Sequence, residues 1–271
     1  LALKNDATLA ISLPTGSGKS LVFHLLAKFT TGLTIVVIPT TALGLDHRIS
    51  SNKIFENDDS INPIFYHSGL NEFQSQNLLE TIKNRNTRLL FTSPEACVNG
   101  KLRRLLDDLA INGYLKNLVI DEAHIIDEWG HDFRVEFQLL SGLQKEWCKA
   151  SNGSLRTFLL SATYSRHNMQ TLHKLFKTGS WHQVIAQRLR PEMKYWVAKE
   201  SKPAKERNAD LEIGLLHLPR PAIIYFTKPQ KAEEFFQSCK NNGLKTCALV
   251  TGNTPNTERQ ETLSKWKAND I

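Results

Sequence analysis

Short apolar runs recur along the first two thirds of the chain, each closing on small or polar residues. Thr8 to Leu13, Leu33 to Ile38, Ile64 to Tyr66, Arg88 to Thr92, Leu118 to Ile120 and Leu155 to Leu160 all follow this pattern. Apolar runs this short, without polar alternation, read as strands buried on both faces. Helix-spaced stripes lie between them. Val22, Leu25, Leu26 and Phe29 recur at i, i+3, i+4 and i+7, and Leu78, Leu79 and Ile82 share a face. Leu140, Leu143 and Trp147 mark another helix. Strands alternating with helices predict an α/β fold, a parallel sheet flanked by helices.

Near Gln187 the pattern breaks and restarts. Arg188 to Glu192 reads as a connector and Met193 to Ala198 as a strand. Leu211, Leu215 and Leu218 then mark a helix. Pro221 to Thr227 and Lys245 to Val250 read as strands. Ala232, Phe235, Phe236 and Cys239 form a helical stripe, and Thr257 to Lys267 reads as a further helix. Two domains are expected, 1–187 and a partial one over 188–271, which fits the usual size of a folding unit. The chain opens without Met and closes on Asn269-Asp270-Ile271 with an element unfinished, so it reads as a piece of a longer protein.

Composition narrows the picture a little. Apolar content of 41% and charged content of 23% are those of a folded globular protein. A net charge of +7 suits a nucleic-acid partner without establishing one. Cys97, Cys148, Cys239 and Cys247 are widely spaced, with no C-x-x-C pair. They read as reduced, mostly buried thiols and favour a cytoplasmic, nucleoid or nuclear setting. No export signal and no apolar run long enough to span a bilayer is seen.

The chemistry concentrates at strand ends. The first strand runs into Pro14-Thr15-Gly16-Ser17-Gly18-Lys19-Ser20 and then a helix, the context a phosphate-binding loop requires. Gly16 and Gly18 let the backbone of Thr15 to Ser20 wrap phosphate oxygens. Lys19 can reach the β- and γ-phosphates, and the Ser20 hydroxyl can sit on Mg²⁺. The general pattern asks for Gly at position 13, where this chain has Leu13. Leu118-Val119-Ile120 ends in adjacent carboxylates, Asp121 and Glu122. A strand tip can present Asp121 to hydrated Mg²⁺, with Glu122 placed to orient or deprotonate an attacking water.

Asp121-Glu122-Ala123-His124 resembles motif II of superfamily 2 helicases, and PTGSGKS resembles their motif I. Trp129-Gly130-His131-Asp132-Phe133-Arg134 resembles the aromatic-rich loop of RecQ-family DNA helicases. The resemblance implies a P-loop NTPase with RecA-like domains, the second one partial. It implies Mg²⁺-dependent ATP hydrolysis driving movement on DNA, with catalysis by Lys19, Asp121 and Glu122. His124 and Ser161-Ala162-Thr163, which resembles motif III, would couple nucleotide to nucleic acid. Trp129, His131, Phe133 and Arg134 would sense DNA by stacking and charge. Pro39-Thr40 resembles motif Ia and Ser93-Pro94 motif Ib, both backbone contacts. Thr40 serves equally well as a helix cap, Ser93-Pro94 is also a good helix start though its neighbours favour the contact, and Ser161-Ala162-Thr163 taken alone reads better as a cap. An RNA-directed ATPase, and a nucleic-acid-binding subunit using ATP as a conformational clamp, remain open alternatives. A small-molecule kinase explains neither the second domain nor WGHDFR. No segment can be assigned to the arginine-bearing motifs V and VI, so the chain alone is expected to turn over ATP poorly.

Overall fold

The computed structural model describes residues 6–128, 135–186, 194, 204–219, 221–244 and 246–268. The chain divides into two compact units, Leu1–Lys194 and Tyr195–Ile271. The first is built on seven strands: β1 (Thr8–Ser12), β2 (Leu33–Val37), β3 (Ile64–Tyr66), β4 (Leu89–Thr92), β5 (Leu115–Ile120), β6 (Arg156–Ser161) and β7 (Trp181–Ile185). They form one sheet in the order β3-β4-β2-β5-β6-β1-β7, with every pairing parallel.

Among the described residues, eight helices connect and cover it: α1 (Lys19–Phe29), α2 (Thr41–Ile54), α3 (Glu72–Lys83), α4 (Pro94–Val98), α5 (Gly100–Ile111), α6 (Ile125–Glu128), α7 (Val135–Ala150) and α8 (Arg166–Phe176). The all-apolar strands divide their side chains between two cores. Ile35, Val37, Leu118 and Ile120 join Leu106, Leu140 and Trp147 on one face. Val36, Val119, Phe91 and Phe158 join Phe23 and Ala27 on the other. Successive residues of a strand point oppositely, so a sheet covered on both sides needs apolar residues at every position. Each large side chain fully buried there contributes about 1.5–3 kcal/mol.

The stripes expected on α3 and α7 face inward: Ile82, Leu140, Leu143 and Trp147 are at most 3% exposed, and Leu78 and Leu79 pack half-buried against the same core. The stripe expected on α1 is not. Leu25 and Phe29 are 46% and 80% exposed, and Phe23, His24 and Ala27 are buried in their place. Val22 and Leu26 pack half-buried beside them. With Leu21, Val22, Phe23, Leu25, Leu26 and Phe29, α1 is apolar around most of its circumference. Spacing alone therefore cannot choose its inner face. The edge strand β7 and helix α5, neither expected from the pattern, complete the unit.

The second unit holds α9 (Ala204–His217), α10 (Pro229–Asn241) and α11 (Asn256–Lys267). Leu215, Phe235 and Cys239 form its small core, with Leu211, Ile224 and Phe226 against them. Among the described residues, the segments 221–227 and 245–250, expected as strands, join no sheet. The expected strand at Met193 to Ala198, and the connector before it, lie outside the described residues apart from Lys194. All four cysteines are free, and Cys97, Cys148 and Cys239 are buried. No helix among the described residues is long and apolar enough to cross a membrane.

Candidate nucleotide site

Parallel pairing sends β1, β5 and β6 to the same edge of the sheet, where α/β folds bind their ligands. Because β6 lies between β5 and β1, Ser161 at its end falls between the phosphate loop and the two carboxylates.

The loop after β1 turns on two glycines. Gly16 and Gly18 have φ of 83° and 86°, the left-handed region that other residues enter at a cost. Gly18 caps α1 with no side-chain hydrogen bond, so the first N–H groups of the helix stay available to an anion. Thr15 to Gly18 are exposed, and Lys19 and Ser20 are half-buried where the helix begins.

At the end of β5, Asp121 is 5% exposed and its N–H donates to Val37 O at 2.9 Å, which fixes it to β2. Its Oδ1 accepts the Glu122 N–H at 3.0 Å, and its Oδ2 lies 3.2 Å from Nε2 of His47. Glu122 holds φ of 51°, a strained conformation for a residue with a side chain. That turn carries the chain from the strand back onto β6, where Ala123 N–H donates to Leu160 O at 2.8 Å. Burial raises the Glu122 carboxyl pKa and the Asp121 charge adds to the rise. Lys19, His124 and the Ala162 N–H pull it back. The Lys19 charge is thus near enough to be felt by the second carboxylate, and the loop and the acid pair lie at the same end of the sheet.

His124 sits at a junction. Its Nδ1 is 3.3 Å from Glu122 Oε2 and 2.9 Å from Ser161 Oγ. Ser161 Oγ in turn donates to Thr163 O at 2.7 Å, accepts from Thr163 N–H at 3.1 Å, and is fully buried. The structure therefore brings His124, Ser161, Ala162 and Thr163 together around Glu122.

The other expected contacts are dispersed. Thr40 caps α2 by accepting Leu43 N–H at 3.3 Å, and Pro39 is buried. Ser93 caps α4 by accepting Ala96 N–H at 3.3 Å, with Pro94 buried at the first turn. Trp129, His131, Phe133 and Arg134 lie outside the described residues. The pattern of residues missed two side chains. His47 reaches Asp121 across 74 positions of sequence. Tyr164, just past Thr163, buries a hydroxyl with no partner among the described residues, and burial with the Glu122 and Asp121 charges raises its pKa well above the usual value. Only its place beside Ser161-Ala162-Thr163 could have pointed to it. A cleft of about 820 Å³ between Arg85, Arg88 and Tyr114 opens by the amino-terminal ends of β2, β4 and β5, away from these groups.

The donor set suits a hydrated Mg²⁺. Such an ion takes one or two protein oxygens, with waters and phosphate oxygens completing its octahedron. Asp121 and the Ser20 hydroxyl are hard oxygen donors of that kind. No cluster of three or more His, Cys, Asp or Glu among the described residues makes an all-protein metal cage.

A left-handed glycine loop opening a helix, beside a strand-end acid pair in an all-parallel sheet, defines a P-loop nucleotide-binding domain. The sequence model for DEAD/DEAH box helicases matches residues 1–172, and the chain belongs to that family. It is 29% identical over 255 residues to the ATP-dependent DNA helicase RecQ of Haemophilus influenzae, covering 93% of this chain and 38% of that protein. Against the ATP-dependent DNA helicase Q1 of Mus musculus it is 25% identical over 263 residues, or 96% and 39% of the two chains. The chain thus spans under two fifths of these relatives. The fold matches the DUF1998 helicase MrfA bound to DNA and AMPPNP with TM-score 0.71 and 18% identity, over 98% of this chain and 38% of that one. It also matches Mss116p bound to ssRNA and AMP-PNP with TM-score 0.67 and 18% identity, over 98% and 56%. Within its family the chain is RecQ-like.

Proposed function

We propose that this chain is the ATP-hydrolysing part of a RecQ-like DNA helicase or translocase. The observation that carries the reading is that the glycine loop with Lys19 and the Asp121-Glu122 pair end at one sheet edge, where His124 joins Glu122 to Ser161. Backbone N–H groups from Thr15 to Ser20, with Lys19, hold the β- and γ-phosphates. Ser20 and Asp121 hold Mg²⁺, which supplies neutralising charge at the phosphate oxygens when bound. Glu122 accepts the proton of the attacking water, and its raised pKa brings it nearer the working pH of a base. His124 and Ser161 fix the orientation of Glu122 and carry its movement to Ala162-Thr163. The first domain would end at 187 and the second begin at 188, with the DNA grip at Trp129, His131, Phe133, Arg134 and the segments at Pro39-Thr40 and Ser93-Pro94. DNA is preferred to RNA because WGHDFR is RecQ-like and the relatives named DNA helicases align along nearly the whole chain.

Glu122→Gln in the full-length protein tests the reading. ATP binding should persist, because the phosphates are held by loop amides and Lys19. Hydrolysis should fall by roughly 10²–10⁴, the usual contribution of a general base. The assay is run with Mg²⁺ and with single-stranded DNA or RNA. Turnover within about twofold of the parent rate would remove Glu122 from its role, and stimulation by RNA alone would replace DNA as the partner.

A further inference from the structure

Helix α2 meets the rest of the first unit through an unusual stripe. Its inward positions are Gly44, His47 and Ser51, at i, i+3 and i+7, with only Leu43 and Phe55 half-buried at the margins. The most buried of these are small or polar, where a helix on a sheet ordinarily presents branched apolar residues. At Gly44 the Phe65 ring presses on the helix: a Cβ there would lie 2.5–2.9 Å from its carbons. At Ser51 the hydroxyl lies 2.8 Å from Nε2 of buried His24 on α1. Between them, His47 points at the acid pair.

The His47 ring is clamped. It stacks on Phe91 of β4 at 5.9 Å and 16°, and stands edge-on to Phe23 of α1 at 5.3 Å and 85°. Its Nε2 lies 3.2 Å from Asp121 Oδ2, with the side chains 15% and 6% exposed. An ionised carboxylate only accepts, so Nε2 carries a proton and donates it. The other oxygen, Oδ1, accepts the Glu122 N–H at 3.0 Å. Each Asp121 oxygen is thus held by one protein donor, which fixes the plane of the carboxylate and leaves its remaining lone pairs for water or metal. Phe23 and Phe91 flank the ring and favour this orientation of the donor.

We propose that His47 is the positioning residue for the Mg²⁺-binding carboxylate, so that α2, the helix capped by Thr40, sets the orientation of Asp121. The proposal rests on the nucleotide-site reading above. It gives α2 a hold on the site separate from the link through His124 and Ser161. Partners that orient a metal ligand from behind commonly contribute 10–100-fold in metal affinity.

The test is binding of a labelled ATP analogue to the full-length protein, measured against Mg²⁺ concentration and, separately, in EDTA. His47→Leu fills the space without a donor and should raise the half-saturating Mg²⁺ about tenfold or more, with binding in EDTA unchanged. His47→Gln places an amide N–H at nearly the same reach and should return the Mg²⁺ response to within about threefold of the parent. His47→Asn is too short to reach Asp121 and should behave like Leu. If the Leu variant does not fold, the contrast between Gln and Asn decides. A parent-like Mg²⁺ response in the Leu or Asn variant would overturn the role of His47 alone. A Gln variant as impaired as Leu at the same melting temperature would also overturn it, because shape and not the hydrogen bond would then matter. A parent whose binding ignores Mg²⁺ would overturn the nucleotide-site reading and this proposal together.

Discussion

Acid should loosen the contact between α1 and α2, and it should act through one histidine. His24 is 7% exposed, and its Nε2 lies 2.8 Å from the Ser51 hydroxyl. Burial, and after it the nearby His47, push its pKa from 6.5 down to about 4. The unfolded chain therefore takes up a proton near pH 6.5 that the folded chain refuses until near pH 4. The contribution to stability is complete above pH 6.5 and is lost as the pH falls through that window. Each pH unit inside the window removes about 1.4 kcal/mol, hence about 2 kcal/mol by pH 5 and about 3 kcal/mol below pH 4. His24→Gln can still bond Ser51 but never becomes charged. Urea unfolding of both proteins near pH 7.5 and near pH 5 measures the effect. The parent should lose about 2 kcal/mol more than the variant over that interval. Glu122, with its raised pKa, works in the opposite sense, but it is common to both proteins and cancels in the difference. The same pH dependence in parent and variant would refute the reasoning, because the His24 ring would then accept its proton as readily folded as unfolded.

Lys19→Ala should weaken nucleotide binding about ten- to a hundredfold, the worth of one charge-assisted contact to phosphate. Titration with a labelled ATP analogue checks it, and an unchanged affinity would remove the loop from the site. Trp129→Ala and Arg134→Ala should strip away stimulation of the ATPase by single-stranded DNA while basal rate and melting temperature stay nearly unchanged. A loss of about 3–5 kcal/mol for Trp129→Ala, with all activities falling together, would instead make that ring part of the core.

Much of the site was legible because its chemistry is local. Gly16 and Gly18 sit at φ of 83° and 86°, which glycine adopts without strain, and Lys19 and Ser20 follow directly at the start of α1. Asp121 and Glu122 must stand at the end of an apolar strand. Such demands leave marks at fixed spacing whatever surrounds them. The strands were legible for a related reason: a sheet covered on both faces requires unbroken apolar runs. In the second unit the same kind of run, 221–227, joins no described sheet, because a strand is defined by its neighbour and not by its own residues.

Only the tertiary structure decided the rest. It turned α1 so that Phe23 and Ala27 are buried and Phe29 faces outward, a choice the nearly all-round apolar helix left open. The strand order placed β6 between β1 and β5, which brings Ser161 to His124. It set His47 against Asp121, though nothing near either residue in the chain announces the other. Spacing records what the backbone imposes within a few residues. Contacts between elements depend on which strands pair and how each helix is rotated, and those are settled by the packing of the whole unit.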